Sequence, residues 1–268
     1  MTAAPPAITR VARHRPAAAL PIAFAAAGIL AQVAYPLLDG GALRAATIAT
    51  VVLLAAAAVT HAAAAWGRRT AAALVAVAAG IGLAAEAVGV ATGVPFGAYD
   101  YADSLGPRVL GVPALVPLAW TMLAYPCLLL GRRLAGTRRA TALAGGLALA
   151  AWDLFLDPQM VADGHWTWAD PTPALPGVSG VPLTNYAGWV LVAVVMVAAL
   201  DRALPREPSR VGERVPAAVL TWTWAGSTLG NLAFFDRPAV AVYGGVGMGA
   251  LVVPYLLSLR GSLRRGES

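Results

Sequence analysis

The stretch AAALVAVAAGIGLAAEAVGVA, Ala71–Ala91, decides the fold. It is about 20 residues long, and at about 1.5 Å of rise per residue a helix of that length crosses the roughly 30 Å hydrocarbon core of a bilayer. Its only polar side chain is Glu86. A water-soluble helix this long would carry a polar face, so the stretch predicts a transmembrane helix that keeps one carboxylate about a turn inside its end.

Runs of the same kind lie on both sides: Ala17–Leu38, Ala42–Trp66, Val112–Gly131, Thr141–Asp157, Tyr186–Leu204, Val215–Phe234 and Ala239–Leu259. Together they predict an all-α, polytopic transmembrane helix bundle of about eight helices, a single integral membrane domain over residues 1–268. Composition agrees: 59% of residues are hydrophobic and 12% charged, where a soluble domain has roughly a quarter charged. Ala17–Leu38 follows Arg10, Arg13 and Arg15 and so competes with a signal peptide, but it exceeds the apolar core of about 7–15 residues that such a peptide uses.

A net charge of +6 can mark a nucleic-acid binder, but here the arginines alternate by loop. With the N-terminus inside, Arg44, Arg108 and Arg237 fall outside, and the other sixteen of the nineteen basic residues fall on inner segments. That asymmetry predicts a multi-pass protein of the cell membrane with both termini cytoplasmic. It leaves no role for nucleic acid. Cys127 is the sole cysteine, and His14, His61 and His165 are scattered. There is no zinc motif, P-loop or dinucleotide fingerprint, and no metal or cofactor is indicated.

Two outer loops, Thr92–Gly111 and Pro158–Asn185, are long and rich in Gly, Pro, Tyr and Trp, so they are expected to be ordered and folded back onto the bundle. They also resemble each other. Glu86 precedes Gly97 by eleven positions and Asp153 precedes Gly164 by eleven; GAYDY then matches GHWTW in alternating aromatics. Each loop ends in Gly-Val-Pro with a tryptophan nine positions after the Gly, at Gly111 and Trp120 and again at Gly180 and Trp189. Residues 86–120 and 153–189 therefore read as a parallel internal repeat, helices three and four corresponding to five and six about an axis along the membrane normal.

These units hold the residues that can do chemistry. Glu86, at depth in its span, either snorkels to the headgroups or faces the bundle interior as a functional group. Asp153 and Asp157 are spaced i,i+4 on one helix face. Asp153, the deeper, is the stronger candidate, and one of the pair can hold a proton and serve as an acid; Asp157, next to Pro158, also reads as a helix end, so its loss is expected to be the milder. Tyr99, Tyr101, Trp120, Trp152, Trp166, Trp168 and Trp189 either form an interfacial aromatic belt or wall a pocket, where their faces stabilise positive charge. Asn185 and Asn231 are further polar candidates, for substrate binding or for helix–helix hydrogen bonds. His61 reads as structural.

At Glu86 through Tyr101, Gly111-Val112-Pro113 with Trp120, Ala151 through Pro158, and Gly164 through Trp168 to Asn185, Gly188 and Trp189, the sequence resembles the integral-membrane carotenoid biosynthesis family. That family contains the CruF-type carotenoid hydratases and bisanhydrobacterioruberin hydratases. The resemblance covers helices three to six, and the remaining helices match only in hydropathy. It implies a hydro-lyase that adds water to the terminal C=C of an acyclic carotenoid, giving a tertiary alcohol without a cofactor. The catalytic residues would be Glu86, Asp153 and Asp157. The implied partners are a membrane-dissolved carotenoid, water, the lipid bilayer and other carotenoid-pathway enzymes. Two other classes stay open: an end-group cyclase or isomerase, whose product keeps the substrate's mass, and a non-enzymatic lipid-binding or transport protein, against which stands the lack of an inverted repeat.

Overall fold

The computed structural model describes residues 16–207 and 209–265. Arg10, Arg13 and Arg15, on which part of the inner-side reading rests, lie outside them. The described residues form eight helices: α1 (Pro16–Ala34), α2 (Gly40–Trp66), α3 (Arg68–Thr92), α4 (Leu115–Leu134), α5 (Arg138–Ala162), α6 (Leu183–Ala203), α7 (Arg214–Ala233) and α8 (Pro238–Arg265). Seven are long and apolar enough to cross a membrane. The exception is α7, which has the length but carries Thr221, Thr223, Ser227, Thr228 and Asn231. The bundle is thus all-α and polytopic.

Burial orders the helices into layers. α4 and α5 are central, 72% and 67% buried over their apolar windows, against 17% for α1. Exposed Leu30, Leu191, Leu229, Val246 and Leu257 on the outer helices face where lipid would lie.

Four short strands sit at one end of the bundle: β1 (Tyr99–Tyr101), β2 (Arg108–Val109), β3 (Val112–Pro113) and β4 (Trp166–Trp168). β1 pairs antiparallel with β4, placing Tyr99 opposite Trp168 and Tyr101 opposite Trp166. Backbone bonds from Ala102 N to His165 O (2.8 Å) and from Ala169 N to Ala98 O (2.9 Å) continue the ladder. Alternate side chains of a strand point to opposite faces, so the four aromatics turn in toward the bundle while Asp100 and Thr167 face out. The two aromatic loops therefore form a single ribbon.

Two boundaries differ from the sequence reading. The fourth helix starts at Leu115, not Val112, because Val112 and Pro113 pair with Arg108 and Val109 as β3. The fifth runs on through Pro158 to Ala162, so Asp157 does not end it. A proline removes the one N–H that would bond four residues back, and α5 tolerates that loss here.

At the ribbon end, Asp163 ties α5 to the end of α1 through the Tyr35 hydroxyl (2.6 Å), and Arg237 at the start of α8 donates to Gln159 Oε1 (2.6 Å). At the opposite end, buried Asp201 accepts from Arg132 (2.8 Å), Arg138 (3.3 Å) and Arg206 (2.5 Å), gathering α4, α5 and α6. Both ends of α5 are thus tied to neighbouring elements.

Candidate active site

Glu86 is 5% exposed and its carboxylate receives three hydrogen bonds. The hydroxyls of Tyr99 and Tyr101 donate to Oε2, Tyr101 at 2.8 Å, and Trp120 Nε1 donates to Oε1 at 3.0 Å. Glycines one turn on either side of Glu86 make this possible. A Cβ on Gly82 would lie 2.7 Å from the Trp120 indole, and one on Gly89 would lie 2.9 Å from the Tyr99 hydroxyl. Burial first, and then the Glu86 charge, holds both phenols well above the usual tyrosine range, so they stay protonated and donate.

These donors are not equivalent. Oε2 keeps Tyr99 when Tyr101 is lost, whereas Trp120 is the one donor to Oε1 among the described residues. Trp120→Phe is therefore expected to cost about 1.5–3 kcal/mol, the range for a hydrogen bond to a charged group, and Tyr101→Phe less. Thermal unfolding of the purified variants checks the order; an equal or reversed order would contradict it.

Asp153 and Asp157 stand one turn apart on α5, both buried. Asn185, in the first turn of α6, bridges them: its Nδ2 donates to Asp153 Oδ2 at 2.8 Å and to Asp157 Oδ2. Trp166 Nε1 of the ribbon donates to Asp157 Oδ1 at 3.1 Å. Asp153 Oδ1 has no hydrogen-bond partner among the described residues.

Beneath the ribbon lies a cavity with about 60 Å³ open to the centres of water molecules, where one water needs roughly 10–15 Å³. Glu86 and Asp157 both line it, from α3 and α5, together with Asn185. Its aromatic wall is made by Tyr99, Tyr101, Trp120, Trp166, Trp168 and Trp189. Within this wall Trp120 stacks on Trp189 with ring centroids 4.0 Å apart and planes 19° from parallel.

Three sequence candidates stand off the cavity wall. Asp153 lies behind Asp157 and reaches it through Asn185. Trp152 forms a second layer, edge-on to Trp189 at 5.8 Å. Asn231 belongs elsewhere: its amide donates to Ser227 O of its own helix (2.9 Å), and its backbone carbonyl accepts from Arg237 N. A lone asparagine in an apolar span gives no sign of which way it faces. His61 bonds Tyr125 (2.7 Å) and the Gly212 carbonyl (3.0 Å), a structural role.

The sequence reading missed Phe96, Thr47 and Met160, which also line the cavity. Phe96 does double duty, since its carbonyl accepts the Trp168 indole N–H at 2.9 Å. Only its place within the GVPFGAYDY segment could have flagged it; Thr47 and Met160 carry no signal in an apolar helix.

The carotenoid biosynthesis protein profile matches residues 47–253, the span that holds every residue of this cavity. The chain belongs to that family. Among family-level relatives, bisanhydrobacterioruberin hydratase of Haloarcula japonica is 38% identical over 144 residues, which cover 52% of this chain and 47% of the relative. The match thus spans about half of the relative's length. No solved structure matches the chain.

Proposed function

We propose that this carotenoid biosynthesis protein is a hydratase that adds water to the terminal C=C of an acyclic carotenoid. The observation that carries the reading is that two carboxylates on different helices, Glu86 and Asp157, face one aromatic-walled cavity. The name of the Haloarcula relative supports the reaction type.

The chemistry follows from the donor inventory. Hydration of a trisubstituted alkene needs a proton donor, shelter for a tertiary cation and a base for the attacking water. Asp153 and Asp157 share one amide nitrogen, and one proton held between them relieves the repulsion of two like charges away from water. Asp157 is the member on the cavity wall, so it delivers the proton. The N–H groups of Asn185 and Trp166 then hold the charge left on it. Glu86, faced by three donors, acts as the fixed negative charge opposite the cation and accepts a proton from the water as it adds. The indole and phenol faces stabilise the cation between them. The net change is one water added, with the proton on Glu86 returning through solvent to the aspartate pair. No cofactor enters these steps.

Residues 86–120 and 153–189 act in this reading as the two halves of a repeat, each supplying a carboxylate and one strand of the roof; the antiparallel pairing of β1 with β4 supports it. The substrate reaches the cavity sideways from the bilayer, because an acyclic polyene dissolves there. Both termini are cytoplasmic and the ribbon is extracytoplasmic, on the arginine asymmetry. Reporter fusions in loops 93–114 and 163–182 check this, and a cytoplasmic signal from either loop would overturn it. The function is tested by expression in a bacterium that accumulates an acyclic carotenoid: the expected pigment is one water heavier. An isomer of unchanged mass would point to cyclisation, and unchanged pigment to binding or transport.

A further inference from the structure

The polar groups around the cavity are almost all spent on one another. Tyr99, Tyr101 and Trp120 donate to Glu86, Trp166 donates to Asp157, and Trp168 donates to the Phe96 carbonyl. The Thr47 hydroxyl donates to Leu43 O at 3.0 Å. Asn185 spends its Nδ2 on the two aspartates, and this fixes which end of the amide is nitrogen, since a carbonyl there would face two carboxyl oxygens. Its carbonyl oxygen is what remains for the cavity that Asn185 lines. Among the described residues these bonds account for every lining side-chain donor except the Trp189 indole N–H, so the wall is rich in acceptors.

We propose that Asn185 holds the attacking water through its carbonyl oxygen, with Glu86 as the second acceptor. This rests on the hydratase reading above. A water held between these two acceptors donates a hydrogen to each, which turns its lone pairs toward the cation. When the C–O bond forms, the hydrogen on Glu86 passes to that carboxylate and the other stays as the product hydroxyl, bonded to Asn185. Atoms and charge balance: one alkene and one water give one alcohol.

Asn185 is thus a water-positioning residue as well as the clamp on the aspartate pair, and product partition separates the two roles. A cation that finds no water loses a proton and returns to an alkene. In D2O a failed turnover that loses a hydrogen in place of the added deuteron leaves deuterium in the alkene. Membranes containing wild type, Asn185→Leu, Asn185→Gln or Trp166→Phe are incubated with an acyclic carotenoid in D2O, and alcohol and deuterated alkene are measured by mass spectrometry.

Asn185→Leu is expected to lower the ratio of alcohol to deuterated alkene by about tenfold or more, the worth of one hydrogen bond to the attacking water. Asn185→Gln, whose amide sits one methylene further out, lowers the ratio less, and it decides the matter alone if the leucine variant does not insert. Trp166→Phe weakens only the acid, so alcohol and deuterated alkene fall together. A wild-type ratio in both Asn185 variants overturns the proposal and leaves Asn185 a clamp. Absence of alcohol from wild type itself overturns the hydratase reading instead.

Discussion

Asp157→Asn is expected to lower hydration by about 10²–10⁴-fold, the usual contribution of a general acid. The amide keeps the size of the carboxyl and one of its two contacts, since its carbonyl can still accept from either Trp166 Nε1 or Asn185 Nδ2. What it cannot do is deliver a proton into the cavity. Asp153→Asn is expected to be the milder change, because Asp153 lies behind Asp157 and acts through it. Hydroxylated carotenoid per unit of membrane-inserted protein checks both. Equal activity in Asp157→Asn and wild type would remove Asp157 as the acid.

Glu86→Gln is expected to cause a loss of the same order, about 10²–10⁴-fold, through the base. The three donors around Glu86 make the outcome specific. With the amide carbonyl toward Trp120 and its NH2 toward the tyrosines, both phenols can turn to accept, so the fold survives. Only the charge is gone. Glu86→Leu, by contrast, leaves three buried donors without a partner, at about 1–3 kcal/mol each, and is expected to reduce insertion itself. Activity lost with insertion kept in Glu86→Gln, and insertion lost in Glu86→Leu, is the pattern that separates catalysis from structure. Retained hydration in Glu86→Gln would assign the base elsewhere.

The helices were legible because a bilayer crossing leaves a length and a composition that local sequence displays, as in Ala71–Ala91. α7 shows the margin of that rule, with its threonines, serine and asparagine holding it below the other seven in hydropathy. The carboxylates were legible for a related reason, since a charge is expensive in such a helix and stands out. The roles within the Asp153 and Asp157 pair were not. The i,i+4 spacing puts both on one face, but only the packing of α6 decides that Asn185 clamps them and that Asp157 is the one on the cavity wall. Pro158 misled in the same place, because a proline that ends most helices is carried inside α5. Asn231 shows the converse: a polar residue in a span can bond the backbone of its own helix and stand apart from the site. The alternating aromatics of the two loops were visible as a pattern, whereas their union in one ribbon depends on pairing between segments some 65 positions apart, which no local pattern encodes.

The most direct test is oxygen labelling of the product. Wild type, Asp157→Asn and Glu86→Gln are compared in membranes supplied with an acyclic carotenoid in water enriched in oxygen-18. Carboxylate-driven hydration predicts a tertiary alcohol carrying the heavy oxygen in wild type and a near absence of it in both variants at equal insertion. An unlabelled alcohol, a cyclised isomer, or labelled alcohol in undiminished yield from both variants would contradict it.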